Sequence, residues 1–388
     1  MKLTSLMRFA TLFCFGLSGT MFGQDSTRID FSGYVKNLQT LSFTDNVDSI
    51  LLTNLIHNRI NFSLQKGKHF FFNAGLRNLI FTGDQVKYTP RFNKTLSHDN
   101  GYLDLTNGWA QTNSLLFVST FDRLNIGWNF KNGSVQVGRQ RINWGINPFW
   151  NPNDIFNTFN FLNFDYTERP GIDAARVSFN FKSQSNLEIA IAPAKNDSSI
   201  IGAIKYGFNK WGYDFQLLAG NYRTDIVGGF GFAGNIKEAG WKSEVTYFQP
   251  RKNNYESTGS ISVSSGIDYG FRNGWYLNGS FLYNSAASNQ LYAIAQLTSF
   301  QITPKTLMPS RLNFLVQAVK TFTPLFIGNF SILYSPKVNL LAILPYLSYS
   351  IRENWDLDLV IQSFFAKNAN GDFSTLGNSV NLRLKWSF

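Results

Sequence analysis

Apolar and polar residues alternate along most of this chain, in runs separated by short turn-forming segments. Successive side chains of a β-strand point to opposite faces, so each run predicts a strand with one apolar and one polar face. We count about 18 such strands, and about 16 is the alternative because several runs are weak. The predicted strands cover residues 29–43, 54–65, 69–80, 115–130, 133–144, 171–182, 185–193, 199–209, 211–221, 226–234, 239–249, 260–271, 274–284, 311–321, 325–334, 338–350, 354–365 and 377–387.

The connections between these strands sort by length. When the strands are threaded up and down, the short turns fall on one side, at residues 66–68, 131–133, 183–185, 209–212, 272–274 and 352–354. The long connections fall on the other side, at residues 82–114, 145–170, 250–259, 285–310 and 366–376. Membrane barrels have short periplasmic turns and longer outer loops. The pattern therefore predicts an all-β fold, a transmembrane antiparallel up-and-down β-barrel in a single domain.

The last run, residues 377–388, alternates without a break and ends on an aromatic residue. It resembles the targeting strand of a Gram-negative outer-membrane β-barrel. The resemblance implies that Trp386 and Phe388 form the signal read by the outer-membrane assembly machinery, and that the chain resides in the cell outer membrane.

The first residues predict export. Lys2 and Arg8 precede an apolar stretch that is too short to span a bilayer, and small residues follow it. We therefore predict a signal peptide at residues 1–23 and a barrel domain at residues 24–388. Cys14 is the single cysteine, so the predicted mature chain has no thiol for disulfides, catalysis or metal binding.

Composition agrees with a membrane barrel. Aromatic residues make up 16% of the chain, while the mean hydropathy is only -0.14. The mature chain has no apolar run long enough for a membrane helix. The formal charge of +11 is scattered along the strands rather than clustered, so no nucleic-acid partner is expected. The expected partners are outer-membrane lipids and small polar or anionic solutes. A secreted β-sandwich is the alternative fold.

Strict alternation places charged side chains inside the barrel. The inward basic positions are Lys36, Arg59, Arg77, Arg123, Arg176, Arg383 and Lys385, and the inward acidic positions are Glu244, Asp268, Asp356 and Asp358. We expect these pore-lining residues to form a basic wall and an opposing acidic wall, whose transverse field orients polar solutes. The alternative is that the charges pair and hydrate a wide interior.

The densest motif is GRQRINWGINPFWNPNDIFN at residues 138–157, followed by RPGIDAAR at residues 169–176. It resembles a pattern found in porin-like barrels of unassigned function, including alginate-export-like barrels. The resemblance covers a small part of the chain and implies the fold rather than the solute.

The 145–170 loop either enters the barrel or forms a lid outside it. If it enters, it constricts the pore, and its acidic residues Asp154, Asp165 and Glu168 face Arg139, Arg141 and Arg176. Strict alternation from Val137 sends Arg139 and Arg141 toward lipid, which costs about 2 to 4 kcal/mol each at the midplane. A bulge must therefore reset the register, or both residues lie near the outer rim.

Enzymatic chemistry is not predicted. The three histidines, His57, His69 and His98, are placed apart, and no nucleophile-elbow or zinc-protease motif occurs. We expect no catalytic residue, metal or cofactor. The predicted function is passive diffusion of small polar or anionic solutes through a basic-lined lumen. The alternatives are an exporter of an acidic polysaccharide and a closed barrel that acts as an adhesin or assembly protein through its outer loops.

Overall fold

The computed structural model describes residues 26–44, 50–89, 91–99, 101–165, 168–182, 184–196, 199–251, 258–290, 302–367 and 371–388. The predicted signal peptide, residues 1–23, lies outside these ranges. Among the described residues, no helix is long and apolar enough to cross a membrane.

Strands make up most of the described chain, and they follow the alternating runs of the sequence. They are β1 Thr27–Phe43, β2 Leu51–Lys66, β3 Phe70–Gly83, β4 Thr106–Gln111, β5 Leu115–Phe130, β6 Gly133–Gln140, β7 Ile172–Asn180, β8 Asn186–Ala192, β9 Ile201–Lys210, β10 Tyr213–Tyr222, β11 Asp225–Ile236, β12 Ala239–Pro250, β13 Ser260–Gly270, β14 Trp275–Asn284, β15 Leu312–Thr323, β16 Phe326–Ser335, β17 Leu340–Arg352, β18 Trp355–Lys367 and β19 Phe373–Ser387.

Eighteen of these strands form a closed antiparallel barrel. Each of them pairs with its neighbours in chain order, and β1 closes the ring by pairing with both β2 and β19. The remaining strand, β4, pairs with the outer part of β5 and extends from the loop between β3 and β5. The predicted fold and strand number of about 18 are confirmed.

The long connections lie on one side of the barrel, as the sequence predicted. The loop between β3 and β5 carries two short helices that the sequence pattern did not predict, α1 (Asp84–Tyr88) and α2 (Phe92–Ser97). On the opposite side, turns as short as two residues join β5 to β6 and β9 to β10. Aromatic pairs such as Trp355 with Trp386, whose ring centroids are 6.2 Å apart, lie near these turns, at the ends of the strands. This placement is typical of an interfacial girdle.

Apolar side chains also pack inside the barrel, because the loop between β6 and β7 folds into it. One cluster joins loop residues Ile142, Trp144, Ile155 and Phe156 to wall residues that include Ala190, Leu218, Val227 and Phe248. A second cluster joins Trp150 and Leu162 to wall residues that include Leu282, Leu315, Leu333 and Phe364. These contacts bury the large aromatic surface of the loop, which would otherwise be exposed to water.

Candidate functional site

The 145–170 loop is held inside the barrel by Glu244 on β12. The buried carboxylate of Glu244 accepts hydrogen bonds from the backbone amides of Ile146 at 2.5 Å, Asn147 at 2.8 Å and Asn153 at 2.9 Å. A carboxylate that accepts several amide hydrogen bonds fixes the backbone more strongly than a neutral acceptor does. Glu244 therefore anchors the start of the loop on the wall opposite β2 and β3.

The loop then crosses the lumen. The Ser264 hydroxyl on β13 donates a hydrogen bond to the carbonyl of Trp150 at 2.9 Å. On the far side, the Gln362 amide on β18 donates one to the carbonyl of Leu162 at 2.8 Å. Because these two strands stand apart in the barrel, the loop divides the interior and narrows the space left for solutes.

Asp165 fixes the returning end of the loop to the wall near the barrel closure. Its carboxylate lies 2.8 Å from Nζ of Lys36 on β1 and 3.4 Å from Nη1 of Arg383 on β19. The ring of His57 on β2 lies 3.6 Å away, which is beyond hydrogen-bond distance. Burial acts to raise the pKa of Asp165, but the neighbouring His57 and Lys36 outweigh it and lower the pKa to about 2.

Asp154 lies deep in the same loop. Its side chain is fully buried, and its carboxylate lies 3.3 Å from Nη1 of Arg169. Burial raises the pKa of Asp154 to about 7, against the opposing charge of Arg169. Burial and the repulsion from Arg169 also lower the pKa of Arg141, which follows β6. Asp154 is therefore a titratable group near neutral pH within the constriction.

Arg59 forms the centre of the basic wall. It makes a two-point ion pair with Asp122 on β5, and its Nε lies 2.5 Å from the carboxylate of Glu168 at the end of the loop. Arg123 lies beside this pair and donates hydrogen bonds to the backbone carbonyls of Asp122 and Arg169, at 2.7 Å and 2.6 Å. The wall and the returning loop thus meet in an array of alternating charges.

A cavity of about 420 Å³ lies on the periplasmic side of Arg59. Its charged lining residues are Arg59, Arg123, Arg141, Arg176 and Glu168. The Arg176 guanidinium donates a hydrogen bond to Gln136 at 3.0 Å and lies 3.8 Å from the carboxylate of Glu188. The buried Nε of Arg141 has no hydrogen-bond partner among the described residues. Four guanidinium groups and one carboxylate give this lower cavity a positive potential.

A second cavity, also about 420 Å³, lies on the outer side. Its charged lining residues are Arg77, Asp99, Asp122, Arg139 and Arg223. It also contacts the loop through Asn157 and Thr158. The two cavities follow the same wall, and the ion pair between Arg59 and Asp122 stands at the boundary between them.

The acidic residues predicted on the lumen wall are placed differently from the expectation of two opposing walls. Asp358 on β18 binds Arg383 on the neighbouring strand β19, with Nη2 at 2.8 Å, and Asp356 is directly opposite Lys385 in the register. Asp268 on β13 pairs with Lys242 on β12. β18 adjoins the basic strands instead of facing them, so much of the charge is neutralised between neighbours.

Arg139 does not face the loop acids as expected. It keeps the position that alternation gives it, opposite Leu124 and Asp173, and no register shift occurs in the pairing of β6. The segment after Asp99 covers it, and its guanidinium binds both Asp99 and Asp173, at 2.7 Å and 2.8 Å. Arg139 is thus shielded from lipid by this segment and by its ion pairs, without a register shift and at a depth where β5 continues for nine residues beyond its partner Leu124.

Asp122 is a residue of the site that the sequence pattern did not predict. Asp122 is the extra residue of a bulge, because Gly75 pairs with Arg123 while Leu76 pairs with Phe121. Alternation alone places either Asp122 or Arg123 inside, whereas the bulge brings both to the lumen. In the described part of the chain, no group of three or more His, Cys, Asp or Glu side chains is arranged to hold a metal ion.

The arrangement of barrel, inward loop and basic wall can be compared with known proteins. The sequence matches no protein-family model and no curated protein. Its structure is similar to Pseudomonas aeruginosa OccK3 (OpdO), with a TM-score of 0.57 and 8% identity over 93% of this chain and 95% of that chain. The fold is that of an outer-membrane β-barrel.

Two further structures of Pseudomonas aeruginosa support this assignment. The outer membrane protein opdK has a TM-score of 0.54 and 9% identity, and the match covers 92% of this chain and 99% of that chain. OpdK solved with vanillate gives the same score and identity over 92% of this chain and 98% of that chain. At such low identity the likeness establishes the fold and leaves the solute open.

Proposed function

We propose that this protein is a passive outer-membrane channel for small polar or anionic solutes. The observation that carries the proposal is the pair of cavities along the arginine-rich wall, each of about 420 Å³, which the inward loop leaves unfilled. Cavities of this volume fit small molecules. Solutes would pass from one cavity to the other beside Arg59 and Asp122.

The charge of the lower cavity favours anions. Arg59, Arg123, Arg141 and Arg176 line it against the single carboxylate of Glu168. Arg141 is the strongest candidate for contacting a solute, because it lines the cavity and forms no ion pair with a carboxylate among the described residues. A positive lining raises the local anion concentration and speeds anion entry. Vanillate, which is present with OpdK, is itself a carboxylate, and this chain would accept solutes with the same kind of charge.

The proposal includes no catalytic step. His57 is buried at the closure of the barrel, His69 stacks on Trp128 near the periplasmic turns, and His98 follows α2 in an outer loop. These three side chains are too far apart in the fold to form one catalytic site. We propose that the role of the protein is to select solutes by size and charge, with outer-membrane lipids and the assembly machinery as its other partners.

Export of an acidic polysaccharide needs a path through which a polymer chain can be threaded. The loop is fixed on both sides, by Glu244 and by Asp165, so a polymer would have to displace it. The hypothesis of an adhesin or assembly protein requires a closed lumen that conducts no ions. A measurement of ion conductance therefore distinguishes that hypothesis from the channel.

The test is single-channel current through the refolded barrel in a planar bilayer under a salt gradient. We expect stable conductance with a reversal potential biased toward anions. Arg141→Gln should weaken that bias, and replacing Arg59, Arg77, Arg123 and Arg176 with Ser should weaken it further. Lys131→Gln, in an exposed periplasmic turn, removes the same charge away from the lumen and should leave the bias unchanged. A correctly folded barrel without conductance would refute the channel.

A further inference from the structure

One sector of the outer wall differs from the rest in the side chains that it presents to the membrane. It is formed by β1, β2, β3 and β5. Their inward residues, such as Lys36, Arg59 and Arg77, contact the loop or line the cavities, so the residues next to them point outward. The outward residues include five amide side chains, which we call the amide patch: Asn37, Gln39, Asn54, Asn58 and Asn78.

The patch lies at the depth of the lipid tails. On β2, Asn58 and Asn54 are four and eight residues from Phe62, which is an outward residue nearer the periplasmic turn. At about 3.4 Å per residue and a tilt of about 40°, they stand about 10 Å and 21 Å above Phe62. Measured from Phe62, an apolar band about 25 Å tall includes both, with Asn58 near its middle and Asn54 near its outer edge. Apolar Ile60, Ile56 and Leu52 alternate with them on the same face.

Outward amides are rare on the other barrel strands. Asn221 and Gln249 are each one residue from the outer end of their strand. Asn378 is on β19, which adjoins β1 and borders the patch. A lipid-facing wall is apolar in this band, so the amide patch marks a sector that does not face lipid tails.

Hydrogen bonds connect the amides to one another. Gln39 Nε2 donates to Asn37 Oδ1 at 3.1 Å, and Asn37 Nδ2 donates to Asn54 Oδ1 at 3.3 Å. A second row runs from Asn78 to Asn58 at 2.9 Å, and the Ser119 hydroxyl donates to Asn78 at 2.6 Å. These bonds satisfy part of the polar groups within the wall.

The first row has two open ends. Gln39 Oε1 and Asn54 Nδ2 have no hydrogen-bond partner in the described part of the chain, although the two residues are directly opposite in the pairing of β1 with β2. One open end is an acceptor and the other is a donor. In hydrocarbon neither finds water, so both need a protein partner that carries polar groups at the same depth.

We propose that the amide patch is the contact surface of a dimer within the membrane, with a second copy of this chain as the partner. An acceptor beside a donor is self-complementary, because a two-fold axis places the Gln39 oxygen of one copy against the Asn54 nitrogen of the other. A ring of copies would need two different patches, whereas the described strands carry one such sector. Polar side chains are known to join membrane-embedded segments in this way.

Cysteine cross-linking tests the proposal directly. The sequence has one cysteine, Cys14, in the predicted signal peptide, so a single introduced cysteine gives a clean signal. Asn54→Cys, co-expressed with Gln39→Cys so that each chain carries one cysteine, should form a disulfide-linked species of twice the chain mass in isolated outer membranes, because the two positions face each other across the two-fold axis. Val263→Cys, at an outward position of β13 on the far side of the barrel, is the matched control and should migrate at the mass of one chain. Equal, weak cross-linking of the two variants would overturn the proposal, and so would a product with another protein.

A second measurement separates a dimer surface from a lipid surface. We expect two chains per particle for the wild type in mild detergent by light scattering, and one for the double variant Gln39→Leu, Asn54→Leu. Both barrels should retain the electrophoretic mobility of the folded form. A wild type with one chain per particle, together with a leucine variant that resists heat better, would show that the patch faces lipid and would overturn the proposal.

Discussion

Arg59 on β2 and Asp122 on β5 form a two-point ion pair that spans β3, with Nη1 to Oδ2 at 2.5 Å and Nη2 to Oδ1 at 2.9 Å. Gly75 lies between them, and a Cβ atom there would stand 2.8 Å from Arg59 Nη2 and 3.1 Å from Asp122 Oδ1. The absence of a side chain at residue 75 therefore makes room for the pair. Arg59 lines the cavity on the periplasmic side and Asp122 lines the cavity on the outer side. The pair therefore sets the charge at the boundary where a solute would pass from one cavity to the other.

Neutralising Asp122 should make the channel more selective for anions. Asp122→Asn removes one negative charge at the boundary of the cavities and leaves Arg59 with the carboxylate of Glu168 and the amide oxygen of Asn61 as partners. We expect the reversal potential under a salt gradient to shift further toward anions. Asp104→Asn, at an exposed position of an outer loop, removes the same charge outside the cavities and serves as the control. An unchanged potential in Asp122→Asn would show that ions do not pass this pair.

Removing the carboxylate of Glu244 should release the constriction loop. Glu244→Ala leaves the amides of Ile146, Asn147 and Asn153 without their acceptor, and hydrogen bonds to a charged group contribute about 1.5 to 3 kcal/mol each. We expect a larger and noisier single-channel conductance. The free energy of unfolding in urea should fall by about 3 kcal/mol or more.

The control for this prediction is Asp268→Asn. Asp268 is another acidic lumen residue, but it pairs with Lys242 and makes no hydrogen bond or ion pair with the described part of the loop. The single-channel conductance of Asp268→Asn should be as steady as that of the wild type. If the conductance of Glu244→Ala were equally steady, the loop would be held by its apolar contacts alone.

The pKa of Asp154, about 7, predicts a loss of stability as pH rises. Between about pH 4 and 7 the unfolded carboxyl is ionised while the buried one keeps its proton, so the folded state binds more protons. The free energy of unfolding should therefore decrease across this range, by up to about 4 kcal/mol. Asp154→Asn should flatten the dependence, as measured by urea unfolding at pH 4, 6 and 8. If the free energy of unfolding of the variant fell equally steeply with pH, the pH dependence would arise from other groups.

Phe388 should matter more for assembly in the cell than for the folded barrel. In the structure its backbone exchanges hydrogen bonds with Gly33, and its ring contacts Trp386 at 5.2 Å between centroids. If residues 386–388 are the targeting signal, Phe388→Ala should lower the amount of barrel in the outer membrane several-fold, while the purified variant refolds normally. Trp355→Ala removes a ring from the same aromatic girdle and should leave assembly near the wild-type level.

The barrel could be predicted from the sequence because a strand with one face in lipid must alternate. The start and end of β5, Leu115 and Phe130, coincide with the predicted run. β6 is shorter than predicted and ends at Gln140, where the chain turns inward after Gly138, whose φ of 114° only glycine adopts readily. Such a change of direction does not alter the alternation of apolar and polar residues, so the sequence pattern does not reveal it.

The partners of the loop acids could not be predicted. Asp165 was expected to face arginines of β6 and β7, yet it binds Lys36 and Arg383 at the barrel closure. Its position depends on where the chain crosses the lumen, and that path is fixed by contacts with distant residues such as Glu244 and Gln362. Alternation shows which residues point inward, but it carries no information on which of them meet.

The pairing of β1 with β19 also sets the order of events during folding. Thr40 donates a hydrogen bond to Asn381, across almost the whole length of the chain, at 2.8 Å. Neighbouring hairpins form from local segments, whereas this seam cannot form until the last strand has been exported. Until then one edge of β1 stays unpaired, and an unpaired edge recruits other strands. Closing the ring is therefore the slow step that we expect to limit assembly, and the period before it is when the chain is most exposed to aggregation.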